Sequence, residues 1–207
     1  MGTLLRRVIG AILAIVVLMA IDHTPAYAGL NEAELATVVQ ELSTAVVEIE
    51  SLDALRSGLA ATLEGAATEP TMQTFKEVCK PVGMRAKQLS EEQGWQVRQV
   101  AQKYRNPEHA PANLYEWQAL EQFQKHSELT GFWQPETLTD AAGNSQPGIH
   151  YYRRIDVEPS CLACHGAKDG RPQFVKERYP QDLAYNFQPG DLRGMYSVFI
   201  PALQSAQ

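Results

Sequence analysis

Between residues 30 and 63 the apolar positions Leu35, Val38, Leu42, Val46, Ile49, Leu52, Leu59 and Leu63 recur at threes and fours, with Glu, Gln and Ser between them. That spacing lines one side of an α-helix and predicts a single long amphipathic helix. Asn31 is placed to cap its start, with Glu34 three residues on, and Gly65 is placed to end it. Such a stripe packs on its own domain, or, given its near-heptad spacing, against its copy in a homodimer.

A polar break at residues 68–71 leads into a second helical stretch, residues 72–91, interrupted at Pro81, where a helix must kink or restart. Cys79 stands two residues before that interruption. Residues 95–104 alternate as a strand, residues 105–111 are rich in turn formers, and a third helix is expected over residues 114–129. Strands follow at 132–139, 149–157 and 193–201, separated by Gly-, Pro- and Asn-containing turns such as 140–147. Helices first and strands later is an α+β order, and with no internal repeat or long linker residues 29–207 read as one domain.

The first residues belong to a different pattern. Arg6 and Arg7 precede an uncharged apolar run over residues 8–21, and then Ala26-Tyr27-Ala28 offers a small-x-small cleavage site. This reads as a secretory signal peptide over residues 1–28, since fourteen apolar residues fall short of the roughly 17 to 25 a spanning helix needs. No later segment is long enough to span, so none is expected after cleavage. Removing the leader takes away two Arg and one Asp, leaving 16 basic and 23 acidic residues and a net charge of −7. That balance, without any basic stripe interleaved with aromatics, argues against a nucleic-acid partner.

Three cysteines in an exported chain cannot all pair internally, so at least one thiol has another use. Two of them stand in Cys161-Leu162-Ala163-Cys164-His165. A single turn between two thiols lets each form a thioether with one of a porphyrin's two vinyl groups, while the adjoining imidazole reaches the iron. With three Cys and five His in 207 residues, independent placement would generate this pattern on the order of once in a thousand chains. A tetrahedral zinc site would need about four ligands and finds no second pair; a thioredoxin-like redox pair would want a βαβ setting. One covalently attached haem c is therefore expected, on Cys161 and Cys164, with His165 as an axial ligand. Export agrees with it.

The sixth coordination position has Cys79, Met72, Met84, Met195, His109, His126 and His150 as candidates. Cys79 is the thiol left over, and a thiolate is a strong iron ligand; a small buried hydrophobe in a helix is its other use. Lys76 and Lys80 lie near it in sequence. For the haem propionates, Arg98, Arg105, Arg153 and Arg154 are the nominees, because guanidinium pairs well with carboxylates.

Several segments resemble one family. Val78-Cys79-Lys80-Pro81, the stretch from Gly94-Trp95 to Val100, Arg105-Asn106-Pro107 with Pro111 beyond, Cys161 through Gly166, Tyr179-Pro180-Gln181-Asp182 and Gly190-Asp191-Leu192-Arg193-Gly194 look like the cyanobacterial c-type haem proteins of PAS-like fold. The resemblance implies a PAS-like antiparallel sheet flanked by helices, with iron ligated by His165 and Cys79. His109 is a departure, since the related turn often has Asn. Related domains serve as extracytoplasmic sensors, which suggests a redox or gas sensor acting through a signalling partner. The alternative is a soluble low-potential electron-transfer cytochrome steered to a basic redox partner. An enzyme such as a peroxidase is disfavoured because a thiolate-capped iron has no free position. The compartment is a periplasm or a thylakoid lumen.

Overall fold

The alternating segments in the second half of the chain pair into one four-stranded antiparallel sheet, in the order β1-β4-β3-β2. The computed structural model describes residues 31–201 apart from Ala67 and Ala141, so the leader expected at residues 1–28 lies outside the described residues. The chain divides into two units, residues 1–37 and 38–207. In the first, residues 32–37 are helical, and Thr37 Oγ1 donates to the Ala33 carbonyl at 3.0 Å.

The helices are α1 (Glu32–Ala61), α2 (Met72–Val78), α3 (Lys80–Gln93), α4 (Leu114–Lys125), the single turn α5 (Leu162–His165) and α6 (Gln173–Arg178). The strands are β1 (Gln96–Val100), β2 (Gly131–Thr139), β3 (Ser145–Asp156) and β4 (Leu192–Pro201). The expected α+β chain with an antiparallel sheet flanked by helices is what forms. Its last strand, β4, inserts between β1 and β3, and every residue from Gly194 to Ile200 is buried.

Register decides what each face carries, because side chains alternate along a strand. Tyr151, Ile155, Tyr196, Val198 and Ile200 pack with Ala45, Ile49 and Leu52 of α1 and Val82, Ala86 and Leu89 of α3. Each large side chain among them contributes ~1.5–3 kcal/mol on burial. The opposite face brings Val100, Tyr152 and Met195 against Ala119, Leu120 and Phe123 of α4. Gly94, left-handed at φ 72°, ends α3 and turns the chain into β1.

Several boundaries differ from the sequence reading. β1 stops at Val100, not residue 104, because the Ala101 N–H leaves the ladder and donates to the His109 carbonyl at 2.9 Å. β3 starts four residues earlier than expected, since Asp140 Oδ1 accepts the N–H groups of Ala142 and Asn144 and closes a short turn. α4 ends at Lys125, four residues short of the expected 129, and α6 was not expected at all. No helix among the described residues is long and apolar enough to cross a membrane.

Candidate cofactor site

Cys79 sits where one helix stops and the next starts. It is both the last cap of α2 and the first cap of α3, and Pro81 falls in the first turn of α3, where its missing N–H has no intrahelical partner to lose. The Cys79 N–H still bonds the Phe75 carbonyl at 3.0 Å. The predicted interruption is thus a clean restart, and it opens the thiol to a cavity.

The other two thiols arrive from the loop after β3. A 3-10 turn over Pro159–Cys161 runs directly into α5, so Cys161, Cys164 and His165 fall on consecutive tight turns. The turn closes on Gly166, whose N–H bonds the Leu162 carbonyl at 3.0 Å; a Cβ there would stand 2.7 Å from that oxygen.

Cys79, Cys161, Cys164 and His165 line a single cavity of about 480 Å³ at the end of the sheet. Its walls include Phe75, Val82, Val100 and Ile155, and five cations: Arg56, Lys80, Lys87, Arg105 and Arg193. No Asp or Glu is among the described residues that line it. Arg56 is already paired, with Asp53 at 2.6 Å and Glu158 at 2.7 Å. Arg105 gives Nη2 to the Cys164 carbonyl at 2.6 Å and lies 3.5 Å from Asp182. Arg193 donates to the Lys103 carbonyl at 3.2 Å, and no ion pair with a described carboxylate is formed. Gly194 beside it admits no side chain, since a Cβ would sit 2.4 Å from the Val100 carbonyl.

The imidazole of His165 is oriented by the protein. Its Nδ1 is 2.8 Å from the Ala184 carbonyl and 3.2 Å from Arg105 Nη2. A carbonyl only accepts, so Nδ1 carries the proton and donates to Ala184; the guanidinium contact, donor against donor, is no hydrogen bond. Nε2 keeps its lone pair. Burial, then the charges of Arg193 and Arg105, hold the ring's pKa well below its ordinary value, so it stays neutral, as a metal ligand must.

Burial likewise pushes the Cys164 thiol up to about 11 and raises Cys79, while Arg105 opposes both shifts. Cys79 is open to the cavity yet enclosed by the protein around it, which reconciles its exposure with that burial. Lys76 and Lys80 are not among the charges acting on Cys79; Arg105 and Arg193 are.

Of the other axial candidates, only Met84 and His109 reach this cavity. Met195 is fully buried under α4, and Met72, the first residue of α2, is not among the residues that line the cavity. His126 is exposed beside Glu128, and His150 is buried in a polar network on the opposite sheet face. Among the nominated arginines only Arg105 lines the cavity. Arg98 binds Glu116, Arg153 binds Glu50 and Asp53, and Arg154 binds Asp156. Arg193 and Arg56 were missed as cavity residues, although Arg193 stands in the quoted segment Gly190 to Gly194.

Among the described residues no three His, Cys, Asp or Glu side chains converge on a metal-ion position. A haem iron makes a different demand, since the macrocycle supplies four nitrogens and the protein two axial groups. An apolar, cation-rimmed cavity with two neighbouring thiols, a neutral oriented imidazole and a third thiol meets that demand.

Fold and site together define an α+β protein with a cofactor cavity built at one end of an antiparallel sheet. Over residues 34–201 the chain matches the family model described as Tll0287-like, and it belongs to that family. It is similar to a solved structure, the crystal structure of the cyanobacterial heme-protein Tll0287, at 56% sequence identity over 81% of this chain and 98% of that one, with a TM-score of 0.69. No curated protein matches the chain.

Proposed function

We propose that this chain carries one haem c, joined by thioethers to Cys161 and Cys164 and ligated by His165 and Cys79, and that it acts as a redox or gas sensor. One observation supports this above the others: three thiols and a neutral imidazole meet in one cavity whose described charged lining is entirely cationic. A heme-protein 56% identical over most of the chain supports the cofactor.

The bound group would supply a one-electron couple and, only where Cys79 does not hold it, a position for a diatomic ligand. His165 holds its lone pair ready through the Ala184 bond, and Arg193 and Arg105 offer guanidinium groups to two propionates. Cys79 is the responsive side. Burial raises its pKa, so the thiol favours the proton where it stands; it would hold the bound group as a thiolate and would take the proton back on letting go. Gain or loss of that proton on Cys79 would be the switch.

The protein's place in this reading is a periplasm or thylakoid lumen, reached by cleavage after residue 28, where a signalling partner or a second copy meeting the first helix takes up the change. The sheet with its cavity between flanking helices suits a PAS-like sensor. A soluble low-potential electron-transfer cytochrome is the second reading, favoured by the open cavity wall at Met84, which is 61% exposed. The excess of acidic over basic residues would then steer it toward a basic redox partner.

Mass spectrometry of the protein from cells able to mature cytochromes, with ferric spin resonance, tests the proposal. A mass raised by one haem and a low-spin thiolate signature, lost in Cys79→Ser, are expected. A colourless chain of polypeptide mass overturns the haem, and an unchanged signature in Cys79→Ser removes that ligand.

A further inference from the structure

On the sheet face opposite α1 lies an unusual row of buried polar groups. His150 Nδ1 is 2.7 Å from Glu136 Oε2 and its Nε2 is 2.7 Å from Ser197 Oγ, while Tyr152 donates to Glu136 Oε1 at 2.7 Å. Ser197 donates in turn to Glu116 Oε1 at 2.9 Å. The spacing of Glu136, His150 and Ser197 matches a hydrolytic triad, but the Glu116 carboxylate beside Ser197 would repel the oxyanion such chemistry develops. The row is therefore a brace, and what it braces is Arg98.

Arg98, on β1 directly opposite Ser197, gives Nη1 to both oxygens of Glu116 at 2.9 Å. Its Nη2 donates to the carbonyls of Glu108 at 3.1 Å and Ala110 at 3.2 Å. Those carbonyls flank His109, whose own carbonyl accepts the Ala101 N–H at 2.9 Å. Arg98 does not reach the cofactor cavity, whereas His109 lines it. A single guanidinium thus fixes, from the far face of the sheet, the turn that presents His109 to the cavity. Glu116, whose side chain is 2% exposed, fixes the guanidinium.

We propose that Arg98 is a positioning residue, which sets His109 against the bound group and through it the surroundings of the iron. This rests on the reading of the cavity as the haem site. The planar fork is essential, because four acceptors in two directions need donors at fixed angles, which an ammonium on a flexible stem does not supply.

The test uses the haem-loaded chain. Arg98→Lys and Glu116→Gln should each shift the ferric spin-resonance lines and the midpoint potential, and in a His109→Ala background the same substitutions should leave both where His109→Ala alone puts them. Shifts of equal size with and without His109, or urea-unfolding losses without any spectral shift, would show a merely structural role and overturn the proposal. Should Arg98→Lys fail to fold, Glu116→Gln carries the same cycle. A parent without covalent haem would sink the haem reading and leave the bracing to be judged in the unloaded chain. There Arg98→Lys must move the ring resonances of His109 and spare those of His126; unmoved His109 signals refute it.

Discussion

Replacing Arg193 by Met should move the stability of the haem-free and haem-loaded protein in opposite directions. Burial, with repulsion from Arg105, lowers the Arg193 pKa to about 10. A tenfold change in an equilibrium is worth ~1.4 kcal/mol, so keeping this group charged in the folded chain costs about 3 kcal/mol, which solvent screening at a half-buried side chain cuts to about 2. The sign follows from the direction of the shift: a cation whose folded pKa is depressed destabilises the fold at every pH below about 10. Removing it also removes the 3.2 Å bond to the Lys103 carbonyl, worth ~1 kcal/mol. The haem-free protein, made without the attachment machinery, should therefore gain about 1 kcal/mol in urea unfolding. In the loaded protein the same change would take away the charge-assisted partner proposed for a propionate and should cost ~1.5–3 kcal/mol. Equal losses in both forms would mean that Arg193 serves the fold alone, and the argument for an anion in the cavity would fail.

Other outcomes follow from the same geometry. Glu136→Leu should cost ~3–5 kcal/mol in urea unfolding, because it strands the buried Tyr152 hydroxyl and His150 ring together, while Glu136→Gln should cost less than half of that. Gly194→Ala drives a Cβ to 2.4 Å from the Val100 carbonyl; a loss of ~2 kcal/mol or more is expected, with a disturbed haem spectrum because Arg193 is adjacent. The haem-free chain should lose up to ~2 kcal/mol between pH 9 and about 11, since burial raises the folded Cys164 pKa and only the unfolded chain ionises first. The proposed thioether would consume that thiol, so the loaded protein should show no such step, by denaturation followed across the same pH range.

The family was legible in the chain itself, and so was the clustering of Cys161, Cys164 and His165, because they are neighbours in sequence and a single turn of backbone suffices to bring them together. The long first helix, the break before Pro81 and the three later strands were legible for the same reason: period, missing donor and alternation are local. What sequence could not order was everything set by pairing across distance. Insertion of β4 between β1 and β3 puts Arg193, which the sequence did not single out, beside Arg105 and Cys79, and leaves Arg98, which it did, on Glu116 away from the cavity. Arg98 stands within the regular β1–β4 ladder, opposite Ser197, whereas Arg193 falls at the irregularity where β3 and β4 shift register between Ile155 and Asp156; that placement separates an anion-seeking cation from a strut. Cys79 likewise shows in sequence only as a spare thiol before a proline. Its place facing the motif depends on α3 laying Val82, Ala86 and Leu89 on the sheet, and that packing exists only once the sheet is complete.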